Sequence, residues 1–177
     1  SARRLEEVEL RPFEKACRSG VASVMTGHLY VPAFDSVGER PSSLSERIVG
    51  GILRRAWNYQ GLVITDALNM RGVSGRYGCG EAEIEAILAG NDLLYSEDTE
   101  TAYRAVLAAV KGGRISRERI EQSVRRILAA KCAAGILEGV PPRVDSLALR
   151  AARGTERDSA LCLDVMERAV TLLHNRE

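Results

Sequence analysis

An aspartate ends the apolar run in "GLVITDALNM", residues 61–70. A carboxylate at the carboxyl end of a buried strand has three chemical uses. It can accept amide hydrogens from the following turn or helix, bind a cation, or attack an electrophilic carbon such as the anomeric centre of a sugar. Position leaves all three open for Asp66, with capping the commonest use of an aspartate at such a point. His28 follows "VASVMTG", and the acidic loop "SED" follows "DLLY". His28 fits a substrate contact, a proton donor, or a ring that hydrogen-bonds its own loop; sequence assigns it no carboxylate partner, which favours the last. Asp35, in "VPAFD", reads as a turn residue.

The glycines of "GVSGRYGCGEAEIEA" precede a helix pattern, the arrangement that cradles phosphates. Their spacing matches neither the dinucleotide fingerprint nor the P-loop, and no lysine follows. Glu81 and Glu83 fall in the first helical turn, where they satisfy the dipole and repel an anion. A flexible loop over the mouth of a site is the expectation there. Cys17, Cys79, Cys132 and Cys162 are scattered, with only His28 and His174 beside them, so no metal-ligand spacing is present and no cofactor is implied.

Three short apolar runs, "VASVM" (21–25), "LVIT" (62–65) and "DLLY" (92–95), predict buried parallel strands that deliver these groups. Helix patterns lie between and after them. "SLSERIVGGILRRAWN" opens on Ser43 and Glu46 at capping-box spacing and puts Leu44, Ile48 and Ile52 on one face. "TETAYRAVLAAVKGG" repeats Tyr103, Val106, Leu107 and Val110 and stops at Gly112. "SRERIEQSVRRILAAKCAAG" carries Ile120, Val124, Ile127 and Leu128 and ends near Gly135. Shorter helices are expected over 6–18 and 81–89.

The resulting order, α, β, α, β, α, β, α, α, predicts an α/β fold with a parallel sheet and right-handed crossovers. Three strands at this spacing suit the C-terminal portion of a (β/α)₈ TIM-type barrel, incomplete as given, because a closed barrel needs eight strands and ~250 residues. The chain has 177. Past residue 137, paired prolines and many charges in "EGVPPRVDSLALRAARGTERDSA" read as a linker over 138–158. Another amphipathic helix and the run "AVTLLHN" follow. Lys+Arg of 25 against Asp+Glu of 24 leaves a net charge of +1, which predicts no attraction to nucleic acid. No apolar run approaches the ~20 residues of a membrane span.

The segments "ELRPFEKACRSGVASVMTGHLYVPAFD", "PSSLSERIVGGILRRAWNYQGLVITDALNM" and "EAILAGNDLL…AVLAAVKGGRISRERIEQSVRRILAAK" resemble, in order, the later barrel segments of glycoside hydrolase family 3. The match is nearest to its β-N-acetylglucosaminidase-like branch, which includes enzymes that trim peptidoglycan fragments. The resemblance covers about residues 5–137. It implies a retaining β-glycosidase acting on a carbohydrate substrate without a cofactor, with about strands six to eight of the barrel in residues 1–137. It carries the nucleophile over to Asp66, a pocket-wall position over to His28, and the loop passing the sugar over to Met70. The family's substrate-gripping "K-H-F-P-G-H-G" and acid/base "D-S-H" motifs are absent here. The resemblance therefore implies an internal fragment that lacks the N-terminal half of its barrel and its proton donor, and that is inactive alone. Residues 159–177, with "MERAVTLLHNRE", resemble the start of a following α/β domain. A β-glucosidase, a β-xylosidase, a glycoside phosphorylase or a non-catalytic sugar-binding module would share these residues. The cell envelope and the cytoplasm both fit as locations.

Overall fold

The computed structural model describes residues 1–137 and 144–174. They fall into two compact units, of which the first is Ser1–Leu137. In that unit α1 (Ala2–Arg4) and a π-type turn, Leu5–Glu9, lead into α2 (Arg11–Arg18). Strand β1 (Ser23–Thr26) is followed by a π-type helix, Arg47–Ala56, and then by β2 (Leu62–Ala67). Helices α3 (Arg71–Ser74) and α4 (Glu81–Ala89) precede β3 (Leu93–Tyr95), and α5 (Thr99–Lys111) and α6 (Arg117–Ala133) close the unit. The second unit contains α7 (Ser146–Ala151), inside the stretch whose composition reads as a linker, and α8 (Glu156–Ala169). Neither of these helices buries a residue.

The sheet is parallel, in the order β1-β2-β3. Val24 pairs with Val63 and Thr26 with Thr65. Val63 and Thr65 alternate into full burial along β2, while Leu62, Ile64 and Asp66 are half-buried. That alternation fixes two different faces. The buried face packs under helices, with Val63 joined by Cys17, Val49, Leu53, Tyr59 and Ala89. A second cluster joins Leu44, Leu68, Val73, Ala82 and Ala86, and a third places Ile84 and Ile87 against Ala109 and Ile115. The other face is uncovered: Met25 is 63% exposed and Tyr95 64%. In a closed barrel such side chains fill the interior, so an open, incomplete parallel sheet flanked by helices is the architecture observed.

The helix after β1 starts differently from the expected capping box. Ser43 lies in a separate turn, Ser42–Leu44, and the helix is entered at Ser45, whose Oγ accepts the amide of Ile48 at 3.3 Å. The Ser45 hydroxyl donates in turn to Asp35 Oδ2 at 2.6 Å, while Asp35 Oδ1 accepts the amide of Val37 at 3.2 Å. Asp35 is thus a buried turn residue that also holds a helix terminus. Burial pushes its carboxyl up, but the Ser45 hydroxyl, the Val37 amide and the Arg47 and Arg40 cations outweigh burial and hold it below the ordinary carboxylate value.

The glycine-rich stretch after β2 contains the short helix α3 and a tight N-terminus for α4, rather than an open loop. Gly80 has φ +90°, and Glu83 accepts its amide at 2.6 Å. A Cβ on Gly80 would stand 2.7 Å from the Ala105 Cβ. Gly80→Ala therefore combines a left-handed backbone with a collision and is expected to cost roughly 2 kcal/mol or more. Gly113, with φ +75° and open space around it, supplies the control. Gly113→Ala is expected to cost about 1 kcal/mol, and chemical denaturation of the two variants reads the difference.

Candidate active site

The carboxyl ends of the three strands meet on one side of the sheet, and β2 breaks its ladder there. Ile64 pairs with Leu93 and Ala67 with Tyr95, so Thr65 and Asp66 together oppose Leu94 alone. A bulge of this kind leaves a residue unpaired and re-aims its side chain. The Thr65 hydroxyl takes over one ladder position by accepting the Tyr95 amide at 3.0 Å. Asp66 is the residue released from the ladder.

The Asp66 carboxylate uses Oδ1 to accept the amide of Ala67 at 2.7 Å. Among the described residues Oδ2 accepts no hydrogen bond, and no helix amide reaches the carboxylate. Helix α3 begins after Met70 without a side-chain cap. Asp66 is therefore held by its own following peptide with one oxygen free on the uncovered side. Half-burial, a fixed backbone and a free oxygen are what an attacking carboxylate requires.

His28 does not reach out of the protein with its polar atoms. Its Nε2 lies 2.9 Å from the carbonyl oxygen of Ala67, and its Nδ1 lies 2.6 Å from Ser43 Oγ. A carbonyl can only accept, so Nε2 carries the proton and, in the neutral ring, Nδ1 accepts from the Ser43 hydroxyl. The Ala67 carbonyl also accepts the amide of Met70, at 3.1 Å. Asp66, His28 and Met70 are thus joined through one residue, Ala67, and Met70 itself is 47% exposed on the loop beyond it.

The "SED" loop is engaged in structural work. Ser96 donates to the buried Glu83 at 2.6 Å, Glu97 accepts from Asn69 at 2.7 Å, and Asp98 caps α5 by accepting the Thr101 amide at 3.0 Å. The Thr101 hydroxyl and amide hold the Asp98 carboxyl below its ordinary value. A cavity of about 200 Å³ lies among Leu68, Asn69, Tyr77, Glu83 and Glu97. An apolar groove of about 270 Å³ runs along β1 between Phe13, Met25, Leu29, Ile52 and Trp57. Neither is lined by Asp66, which faces the open side of the sheet.

Sequence reasoning did not find Asn91. It is fully buried, and its amide donates to the carbonyls of Ser43 and Ala86, at 2.8 Å each, while its oxygen accepts from Thr26 at 2.9 Å. The partners lie 48 and 65 residues away for Ser43 and Thr26, so no local pattern announces the role.

A parallel sheet with helices on one face and a bulge-released carboxylate at the carboxyl end of its central strand defines a segment of a barrel-type α/β protein, a class that carries its sites at the strand ends. A family model described as "Glycosyl hydrolase family 3 N terminal domain" matches residues 1–130. The chain belongs to that family. A β-N-acetylglucosaminidase of glycoside hydrolase family 3 from Paenibacillus sp. str. FPU-7 superposes with a TM-score of 0.85 at 37% identity, covering 99% of this chain and 33% of that one. A "Beta-N-acetylglucosaminidase/beta-glucosidase" of Cellulomonas fimi is 28% identical over 173 residues, 91% of this chain and 30% of that protein. A β-glucoside phosphorylase shares the fold with a TM-score of 0.89 at 22% identity, covering 100% of this chain and 33% of that one. The chain spans about a third of the length of each of these relatives.

Proposed function

We propose that the 177 residues contribute the nucleophile side of a retaining β-glycosidase that removes terminal β-linked N-acetylglucosamine. The observation that carries this reading is Asp66 itself: a rigid carboxylate with one free oxygen, released by a bulge at the carboxyl end of the central strand. The substrate class comes from the relatives, two of which bear β-N-acetylglucosaminidase names.

In the reaction, an Asp66 oxygen attacks the anomeric carbon and the bond from that carbon to the leaving oxygen breaks. The leaving oxygen takes a proton from a general acid supplied outside these residues. Water then attacks the glycosyl ester, giving up its proton to the same acid/base group, and Asp66 is released. Retention requires the two groups to stand ~5 Å apart across the sugar. Met70 lines the loop that passes the sugar. His28 belongs to the wall of the site, with its polar atoms committed to the protein. No cofactor takes part, and the fragments of peptidoglycan are one carbohydrate of the required chemistry.

The full-length protein incubated with a 5-fluoro-N-acetylglucosaminyl fluoride should accumulate a glycosyl ester, and peptide mapping should place it on Asp66. An ester on another residue, or none under conditions of turnover, sinks the assignment. Turnover that needs added inorganic phosphate and releases a sugar 1-phosphate would identify a phosphorylase, the reaction named for one neighbour of the same fold.

A further inference from the structure

We infer that His28 is the positioning residue of the nucleophile: it acts on Asp66 through the Ala67 carbonyl and makes no contact with the sugar. The inference rests on Asp66 being the nucleophile and adds what holds it in place.

A strand that leaves its ladder at a bulge loses the hydrogen bonds that fix its direction. Beyond the bulge the end of β2 keeps one bond to β3, the Leu68 amide donating to the Tyr95 carbonyl at 3.0 Å. A second anchor is needed if Asp66 is to stay within the few tenths of an ångström that attack demands. Ala67 is held from three sides. Its amide donates to Asp66 Oδ1 at 2.7 Å, and its carbonyl accepts the Met70 amide at 3.1 Å and His28 Nε2 at 2.9 Å. Only the last of these comes from another strand's loop. The first two are local and would move together with the chain end.

His28 is itself fixed by a buried polar chain. Ser43 Oγ lies 2.6 Å from Nδ1, the Ser43 carbonyl accepts from Asn91, and Asn91 accepts from Thr26. Ser43 and Asn91 are fully buried. The chain thereby ties the end of β2 to β1 and to the start of β3, three elements that share no local sequence. Gly72 lies close to the base of the same residue: a Cβ there would stand 3.2 Å from the His28 Cβ and 3.3 Å from its carbonyl oxygen. Networks of this kind gain rigidity only when every member is satisfied, and each member here is. With both nitrogens engaged inward, His28 has no polar atom left for a sugar hydroxyl.

The test uses the full-length protein and counts active sites by the fluoro-sugar label on Asp66, so that misfolded molecules drop out. His28→Ala should lower kcat per labelled site by ~10–10²-fold and leave KM within about twofold. His28→Gln, whose amide can donate to Ala67 and whose oxygen can accept from Ser43, should restore most of the loss. Ser43→Ala should fall between them, and Gly72→Ala should lower kcat without removing any hydrogen-bonding group. A rise in KM alone would make His28 a substrate contact. An unchanged kcat per labelled site would make it a packing residue, and either result overturns the inference. Failure of the wild type to label Asp66 would instead remove the nucleophile reading beneath it.

Discussion

Asp66→Gly should abolish turnover, by a factor on the order of 10⁴ or more, and sodium azide should restore part of it with formation of an α-glycosyl azide. The reasoning starts from which face of the sugar each group occupies. In a retaining enzyme the carboxylate and the acid/base stand on opposite faces. Removing the carboxylate leaves a cavity on the nucleophile's side that a small anion can fill. Azide then attacks where Asp66 would have attacked, and its product cannot be turned over by a second inversion.

The two other uses of an aspartate at this position predict differently. A cap or a turn-stabilising carboxylate would make Asp66→Gly a stability variant, with a lowered unfolding midpoint and no chemical rescue. A mechanism in which the substrate's own acetamido group attacks would leave Asp66 orienting that group, and azide would not produce a glycosyl azide of inverted configuration. Asp66→Asn supplies the complementary result. Its amide keeps the shape, so folding and KM should change little while kcat falls by a comparable factor. If Asp66→Asn retained more than about a tenth of wild-type kcat, no rescue experiment could save the nucleophile reading.

The strands were legible because an interior parallel strand has no polar face to hide. "LVIT" announces β2 by composition, and observed strand Leu62–Ala67 contains it. The helices α5 and α6 were legible from their apolar repeat and from local stops such as Gly112. The start of the helix after β1 was misjudged for a related reason. Ser43 and Glu46 stand at capping-box spacing, but Ser43 is claimed by His28 and Asn91, and Ser45 takes over the terminus with Asp35. Local spacing proposes a cap; a tertiary hydrogen bond decides it. Asp66 could be singled out as a carboxylate at a strand end, but the bulge that frees it could not. That bulge depends on Thr65 taking the amide of Tyr95, 30 residues on. His28 was visible as a residue type, while its two partners lie 15 and 39 residues away.

The same limit hid the residue whose loss should destabilise the fold most. Asp92 opens the run "DLLY" and reads as the first residue of a strand. In the structure its carboxylate is wholly buried at the opposite end of the sheet from Asp66. Oδ2 accepts the Val63 amide at 3.1 Å and Arg54; Oδ1 accepts Ser123 Oγ at 2.8 Å and Arg126 at 3.1 Å, with Arg119 at 3.9 Å. One carboxylate thus faces three guanidinium groups drawn from the π-type helix and α6. Burial lowers the pKa of Arg54 and of Arg119, and the Asp92 charge is what opposes that shift. Both arginines hold further protein carbonyls: Arg54 donates to Tyr59 and Gly61, and Arg119 to Ile87 and Asn91.

Asp92→Asn would leave those cations in place without their counter-charge, and breaking a buried pair from one side typically costs ~3–5 kcal/mol. That is a large part of the ~5–15 kcal/mol that holds an ordinary domain together. Glu100→Gln is the control, because its pair with Arg104 is an exposed i,i+4 contact worth at most about 0.5 kcal/mol. Urea unfolding of the full-length protein should show a large fall in midpoint for Asp92→Asn and almost none for Glu100→Gln. Quadruple replacement of Asp92, Arg54, Arg119 and Arg126 by apolar residues of similar volume should recover much of the loss, since removing all four charges also removes their desolvation cost. A quadruple variant as unstable as Asp92→Asn would show that the hydrogen bonds to Val63, Tyr59, Gly61, Ile87 and Asn91, rather than charge balance, are what this corner of the sheet requires.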